Sequence, residues 1–246
     1  VFVLKEGESA DTLREQLFPF AKRIKHALAD CGFPLCKGEI RASNPKWCLT
    51  LQEWKQTFAG WINLGDPEAL LHCTIFFDFR PLFGAEHLAF ELREWLSGAA
   101  CKNTRFLHQM AENALRNRPP SGSVWDFFTS KGNTLDLKLN GITPFVDAAR
   151  IFSLAAGGKQ TNTLLRLRES AEALRISPQE TEAWIDAFLF IQLLRLRLHH
   201  DQCERQEELS NLIDPDSFNN LDKRILKEAF RQARKLQTKL SMDYQL

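Results

Sequence analysis

The chain has 246 residues, which is enough for one or two domains with a substantial buried core. Its 32 basic and 31 acidic residues leave a formal net charge of +1, so no overall field would attract nucleic acid or an anionic membrane, and we expect neither as a partner. The six scattered cysteines and the lack of an apolar run near the ~20 residues of a membrane span predict a soluble cytoplasmic protein with free thiols and no bound metal.

The first part of the chain alternates between strand and helix patterns. Residues 1–4 are apolar and predict a strand, and residues 10–30 carry apolar side chains at helical spacing. Residues 37–42 predict a second short strand. We therefore predict a small N-terminal α/β domain that spans residues 1–62.

From Thr50 onward the pattern is helical, beginning with a Thr50/Glu53 capping box. A loop at residues 118–133 is interrupted by an aromatic cluster at 124–128, which we expect to contact the core. Residues 177–206 are apolar around much of the helix circumference, so we predict that they form the central helix of a bundle. The predicted fold is mainly α, with a helical domain over residues 63–246.

The most unusual stretch is residues 135–150. Alternation of Leu with charged residues predicts a short extended segment that includes Lys138, and Gly141 begins a turn. Asp147 and Arg150 would then stand three residues apart on a new helix. One interpretation is that the lysine and the arginine meet phosphates while the carboxylate orients one of them. The other is a surface ion pair beside a surface lysine.

This stretch resembles a family of nucleotidyltransferases that carry a C-terminal substrate-binding domain, often with cyclic-nucleotide-binding and CBS regulatory domains upstream. It is more distantly similar to the protein-PII uridylyltransferases and the adenylyltransferases that regulate nitrogen metabolism. In those families a lysine, a glycine turn and an aspartate that opens a helix recur. Lys138, Gly141 and Asp147 match them here.

Three further segments carry the same resemblance in the same order. Residues 76–84 resemble an aromatic-aromatic-Asp-x-Arg segment, although Ala85 stands where the family usually has an acidic residue. Residues 161–166 match the family's Asn-Thr helix start, and residues 194–197 match its core-helix signature. The resemblance implies that the substrate or nucleotide is contacted by Lys138, Asp147, Arg150, Arg80, Asp78, Asn162 and Arg166.

Residues 36–47 look like the end of the family's catalytic domain. Glu39 falls where the distant relatives place a third catalytic carboxylate, and the alternative is a carboxylate at a strand edge. The family's Gly-Ser loop and Asp-x-Asp motif should precede residues 1–4, and neither occurs in this chain. Because two-metal phosphoryl transfer needs paired carboxylates, we expect Mg²⁺ only in the full-length enzyme and no catalysis by this chain alone.

The resemblance thus implies the substrate-binding portion of a uridylyltransferase-like enzyme. Such an enzyme moves a nucleotidyl group from a nucleoside triphosphate to an acceptor, and a protein is one option for that acceptor. Upstream catalytic and regulatory domains are the other expected partners. The alternative is a non-catalytic helical module that transmits signals or binds a protein.

Overall fold

A computed structural model describes residues 2–4, 10–33, 35, 39–120, 134–214 and 218–246. The chain divides into two compact units, residues 1–99 and residues 100–246, which we describe separately. Both are dominated by helices, and the predicted mainly α fold is confirmed. The boundary after residue 62, predicted between a catalytic-domain remnant and a substrate-binding domain, stays a prediction. None of the helices in the described ranges combines the length and apolarity that a membrane crossing requires.

The first unit contains two short strands and four helices within its described part. In chain order these are β1 (Phe2–Leu4), α1 (Ala10–Asp30), a 3₁₀ turn (Pro45–Trp47), β2 (Cys48–Thr50), α2 (Leu51–Leu64), α3 (Pro67–Phe76) and α4 (Glu86–Cys101), whose last turn passes the unit boundary. Strands β1 and β2 pair in parallel, with Phe2 opposite Cys48. The strand predicted at the N-terminus is confirmed over Phe2–Leu4.

The second strand predicted at residues 37–42 is wrong for its described residues, 39–42, which form a loop and turn. Glu39 adopts a φ of 57°, a left-handed conformation that no strand residue can hold. Its carbonyl accepts hydrogen bonds from Asn44 Nδ2 and Trp47 Nε1, each at 3.1 Å. The carbonyl therefore stabilises a turn, and β2 supplies the partner of β1.

An aromatic cluster forms the core of the first unit. The Trp47 ring lies 4.6 Å from the Phe76 ring and 6.3 Å from the Trp54 ring, centroid to centroid. His72 is buried in the same cluster, stacked on Trp61 at 4.9 Å and edge-on to Trp47 at 5.4 Å. The cluster joins the 3₁₀ turn, α2 and α3 through offset and edge-to-face ring contacts.

An ion pair fixes α1 to the start of α2. Arg14 Nη2 donates to both carboxylate oxygens of Glu53, at 2.8 and 3.0 Å, while its Nε donates to Cys48 O at 2.9 Å. Glu53 also accepts from the Thr50 backbone, which confirms the predicted capping box. Burial opposes ionisation of Glu53, but the hydrogen bonds from Thr50 and Arg14 outweigh it, and the pKa of Glu53 is lowered.

The second unit is a helical bundle with one two-residue ladder. Its described elements are α5 (Thr104–Ala114), β3 (Leu135–Asp136), a π-helical turn (Leu137–Ile142), α6 (Thr143–Ala155), α7 (Thr163–Ala173), α8 (Pro178–Glu204), β4 (Leu212–Ile213) and α9 (Asn220–Tyr244). Strands β3 and β4 pair antiparallel. The aromatic cluster predicted to contact the core, residues 124–128, lies outside the described residues.

Helix α8 packs against α9, α7 and the π-helical turn, and its Trp184 and Phe188 are buried as predicted. It is nevertheless not enclosed, because Leu189, Leu193 and Leu196 are exposed on its outer side. The most enclosed helix is α6, whose residues from 148 to 154 are all buried. The prediction that α8 is surrounded by the bundle is therefore wrong on its outer face.

Two side chains of α9 bind the backbone that follows α5. Gln237 Nε2 donates to the carbonyls of Ala114 and Asn117, at 3.4 and 2.8 Å. Arg234 Nη1 donates to the carbonyl of Pro120. The Ala114 carbonyl lies at the end of α5, where no intrahelical donor is available, and the other two carbonyls lie in the segment that follows the helix.

We predict that Trp184→Ala lowers the free energy of unfolding by about 3 to 5 kcal/mol, the usual cost of removing a buried aromatic side chain. The Trp184 indole N–H finds no hydrogen-bond partner among the described residues, so the side chain contributes by filling space. Urea unfolding followed by circular dichroism measures the loss. Leu196→Ala, on the exposed side of the same helix, is the control, and a loss below about 1 kcal/mol for Trp184→Ala would contradict the burial.

We predict that the first unit loses stability as the pH falls below about 6.5 because of His72. Burial lowers the pKa of His72, and the charge of Lys46 acts in the same direction. The folded state therefore holds the neutral imidazole, while the unfolded state takes up a proton near the ordinary pKa. More protons bound by the unfolded state mean a smaller free energy of unfolding at acid pH.

Urea unfolding followed by tryptophan fluorescence between pH 7.5 and about 5.5 tests this dependence. His72→Gln should flatten the pH dependence, whereas the exposed His87→Gln in the same unit should leave it as in the parent. Equal slopes for the parent and His72→Gln would show that another group causes the loss.

Candidate functional site

The stretch before α6 does not continue as the extended segment that its alternating pattern predicts. Only Leu135–Asp136 is a strand, and Leu137–Ile142 is a π-helical turn. The reason is the Asp136 side chain, whose Oδ1 accepts the backbone N–H groups of Lys138 and Leu139, both at 2.8 Å. A side chain that caps the next two N–H groups turns the chain away from a strand.

The far end of this turn is fixed by a hydroxyl and by close packing. Thr143 Oγ1 donates to the Lys138 carbonyl at 2.9 Å. Gly141 lies so close to α8 that a Cβ there would stand 2.9 Å from Ile191 Cγ2 and 3.4 Å from Phe230 Cε1. The backbone of Lys138 is thus held on both sides, while its side chain is exposed to solvent.

Asp147 and Arg150 form an ion pair on α6. Arg150 Nη1 lies 2.9 Å from Asp147 Oδ1, and the two side chains are only 5% and 16% exposed. The pair is therefore a part of the bundle interior and not the surface pair of the alternative interpretation. A buried guanidinium without such a partner would be costly, so the carboxylate stabilises Arg150 in place.

Asn162 and Arg166 order the connection between α6 and α7. Asn162 Oδ1 accepts the N–H groups of Leu164 and Leu165 at 3.0 and 3.2 Å, which makes it the N-cap of α7. Arg166 is buried, and its Nε donates to the Gln160 carbonyl at 2.7 Å. Both of these predicted site residues have clear structural roles here.

Asp78 and Arg80 lie in the first unit, in the turn that follows α3. Arg93 of α4 holds this turn: its guanidinium donates to the carbonyls of Phe77 and Phe79 and stacks 4.0 Å from the centroid of the Phe79 ring. Asp78 is half-buried, and Arg80 is exposed. Neither Arg93 nor Asp136 was anticipated as an organising residue, because their partners are backbone atoms that no residue pattern identifies.

Glu39, the predicted catalytic carboxylate, is exposed in the loop before the 3₁₀ turn and forms an ion pair with Arg41. Mg²⁺ on a nucleotide needs several oxygen ligands from carboxylates and phosphates. A single carboxylate that already binds an arginine does not provide that set. No group of three potential metal ligands is assembled elsewhere in the described ranges, so these residues do not fit a magnesium site.

The structure therefore groups the eight predicted residues into several places. Lys138 lies in the π-helical turn, Asp147 and Arg150 lie in α6, and Asn162 and Arg166 lie at the start of α7, all in the second unit. The other three, Glu39, Asp78 and Arg80, belong to the first unit. Of the two residues expected to meet phosphates, Lys138 is exposed and Arg150 is buried.

Comparison with known families gives two matches. Residues 104–244 match the model described as "Putative nucleotidyltransferase substrate binding domain", and residues 1–68 match the one described as "Putative nucleotidyltransferase DUF294". Searches of the curated proteins and of the solved structures found no significant match. Since the first model spans more than half of the chain and the whole described bundle from α5 to α9, the chain belongs to the nucleotidyltransferase family that is defined by this substrate-binding domain.

Proposed function

We propose that the second unit is the substrate-binding part of a uridylyltransferase-like nucleotidyltransferase, and that Lys138 contacts the phosphates of a nucleoside triphosphate. The proposal rests on one observation. The ammonium group of Lys138 is exposed, while the backbone of the same residue is held by hydrogen bonds with Asp136 and Thr143. A lysine on a fixed turn can meet a phosphate with little loss of backbone entropy.

The Thr143 hydroxyl joins Lys138 to the start of α6. Lys138 stands five residues before the first residue of that helix, and Thr143 Oγ1 donates to the Lys138 carbonyl. The π-helical turn runs directly into α6, and Asp136 already accepts the backbone N–H groups of Lys138 and Leu139 at the start of the turn. The side-chain ammonium of Lys138 is therefore the group that would attract a phosphate here.

Asp147 and Arg150 act differently in this proposal. Because Arg150 is buried and bound to Asp147 on the same helix, we assign the pair to stabilising α6, into which the turn that carries Lys138 leads. Asn162 and Arg166 would order the neighbouring α7 in the same way. Direct contact of these four residues with substrate, and of Asp78 and Arg80 in the first unit, stays a prediction.

The reaction itself belongs to the full-length enzyme in this proposal. Glu39 and Mg²⁺ would take part only with an upstream catalytic domain that carries the paired carboxylates, and no step is assigned to them here. The acceptor would be a protein or another molecule with a nucleophilic group. A non-catalytic module for signalling or protein interaction is the competing function, and the nucleotide titration below separates the two.

We predict that Lys138→Ala weakens the binding of nucleoside triphosphate by about 1 to 3 kcal/mol, the range for losing a charge-assisted hydrogen bond. Calorimetric titration of the 246-residue chain measures binding, and the same substitution in the full-length enzyme, with Mg²⁺, measures turnover. Lys138→Arg should retain most of the affinity because it keeps the positive charge.

Lys227→Ala is the matched control, since it removes an exposed lysine from the outer face of α9 in the same unit. It should bind nucleotide like the parent. If Lys138→Ala also binds and turns over like the parent while its circular dichroism is unchanged, Lys138 has no phosphate role. If the parent enzyme binds no nucleotide at all, the non-catalytic module is the better description.

A further inference from the structure

The outer face of α8 carries a regular row of residues. Successive members are separated by four, three, four, three and four positions, the spacing of a coiled-coil seam on one side of a helix. We call this row the α8 stripe. Its members are Glu182, Asp186, Leu189, Leu193, Leu196 and His200.

The middle of the α8 stripe is apolar and faces solvent. Leu189, Leu193 and Leu196 keep 46%, 43% and 68% of their surface exposed. Single exposed leucines are ordinary, but three in one continuous line on one helix form a patch of the kind that marks a protein interface. The opposite side of the same helix, with Trp184 and Ile191, already supplies the packing that the bundle needs.

The charged residues beside the three leucines indicate which partner would cover this apolar patch. Asp186 lies toward the N-terminal end of the stripe, and Arg197 lies one turn beyond Leu193 toward the other end. Glu182 already binds Arg168 within the chain at 3.0 Å, so Asp186 is the acid left for a partner. A second α8 running antiparallel would bring each Asp186 opposite the partner's Arg197, whereas a parallel one would bring like charges together.

The leucines and the charged residues have the same midpoint along α8. The midpoint of Leu189 and Leu196 and the midpoint of Asp186 and Arg197 both fall between residues 191 and 193. A two-fold axis there matches leucine to leucine and acid to base at once, which is the self-complementarity that an isologous interface requires. We propose that two copies of this chain pair through the α8 stripe, antiparallel, about a two-fold axis near Leu193. This proposal is independent of the proposed nucleotide site.

The size of the contact sets its strength. The stretch of α8 from Asp186 to Arg197 is about 17 Å long, at about 1.5 Å per residue. One helix face of that length buries less than the ~800 Å² per partner of a standard stable interface. We therefore expect a reversible dimer whose dissociation constant lies in the micromolar range.

Sedimentation equilibrium of the 246-residue chain from about 1 to 200 µM tests the proposal. The average mass should rise with concentration from 28.3 kDa toward twice that value. Leu196→Glu should raise the dissociation constant at least about tenfold, because it places a charge in both halves of the symmetric seam. Leu221→Glu is the matched control: Leu221 is 66% exposed on a different helix, α9, and its replacement should leave the dimer unchanged.

Charge reversal gives a second and independent measurement. Asp186→Arg and Arg197→Asp should each weaken the dimer, since each places like charges opposite each other, and the double variant should return to the parent's dissociation constant. Circular dichroism confirms that each variant is folded. A chain that stays monomeric at every concentration overturns the proposal, as do equal effects of Leu196→Glu and Leu221→Glu, or a double reversal that is no tighter than the single ones.

Discussion

The second unit depends on the absence of a side chain at Gly141. The π-helical turn crosses α8 and α9 at this residue, and a Cβ would stand 2.9 Å from Ile191 Cγ2. Ile191 is itself fully buried, so it has no free space to move into. Because interiors are packed as densely as organic crystals, any larger residue would displace the turn. The place of Lys138 and the start of α6 are thus set by a contact between the turn and the bundle core.

The enclosure of α6 explains why its charges are paired. A helix that is buried from residue 148 to residue 154 can keep an arginine only with a partner, and Asp147 is placed one turn earlier. Replacing both residues by apolar ones would be the simpler way to stabilise such a helix. The pair lies within one helix, and it neutralises the guanidinium inside the bundle.

Helix positions could be predicted where periodicity and capping residues agree. Ser177 caps α8 through the N–H of Glu180, and the Thr50/Glu53 box opens α2 as its residues indicate. The π-helical turn could not be predicted, because the alternation around Lys138 fits a strand equally well. The deciding bonds run from the Asp136 side chain to two backbone N–H groups, and no periodicity reports them.

The same limit applies to the site and to the order of the bundle. The resemblance identified residues 138–150 as a group, but whether Arg150 meets solvent or Asp147 depends on burial, which only the packing of α5, α7 and α9 around α6 decides. In the same way, apolar residues around much of the circumference of α8 indicated a central helix, while the sequence could not show that α6 takes the centre. Because α6 and not α8 takes the centre of the bundle, the leucines on the outer face of α8 are exposed.

The bonds from Gln237 to the carbonyls of Ala114 and Asn117 join residues that are 123 and 120 positions apart. The first helix of the second unit is therefore completed by the last one. During synthesis the faces of α5, α6 and α8 that pack against α9 stay uncovered until α9 has emerged. Contacts of such long range slow folding and prolong the exposure of apolar surface. A nascent chain of this protein is thus most exposed to aggregation, and most in need of a chaperone, in the interval before the 25 residues of α9 are released.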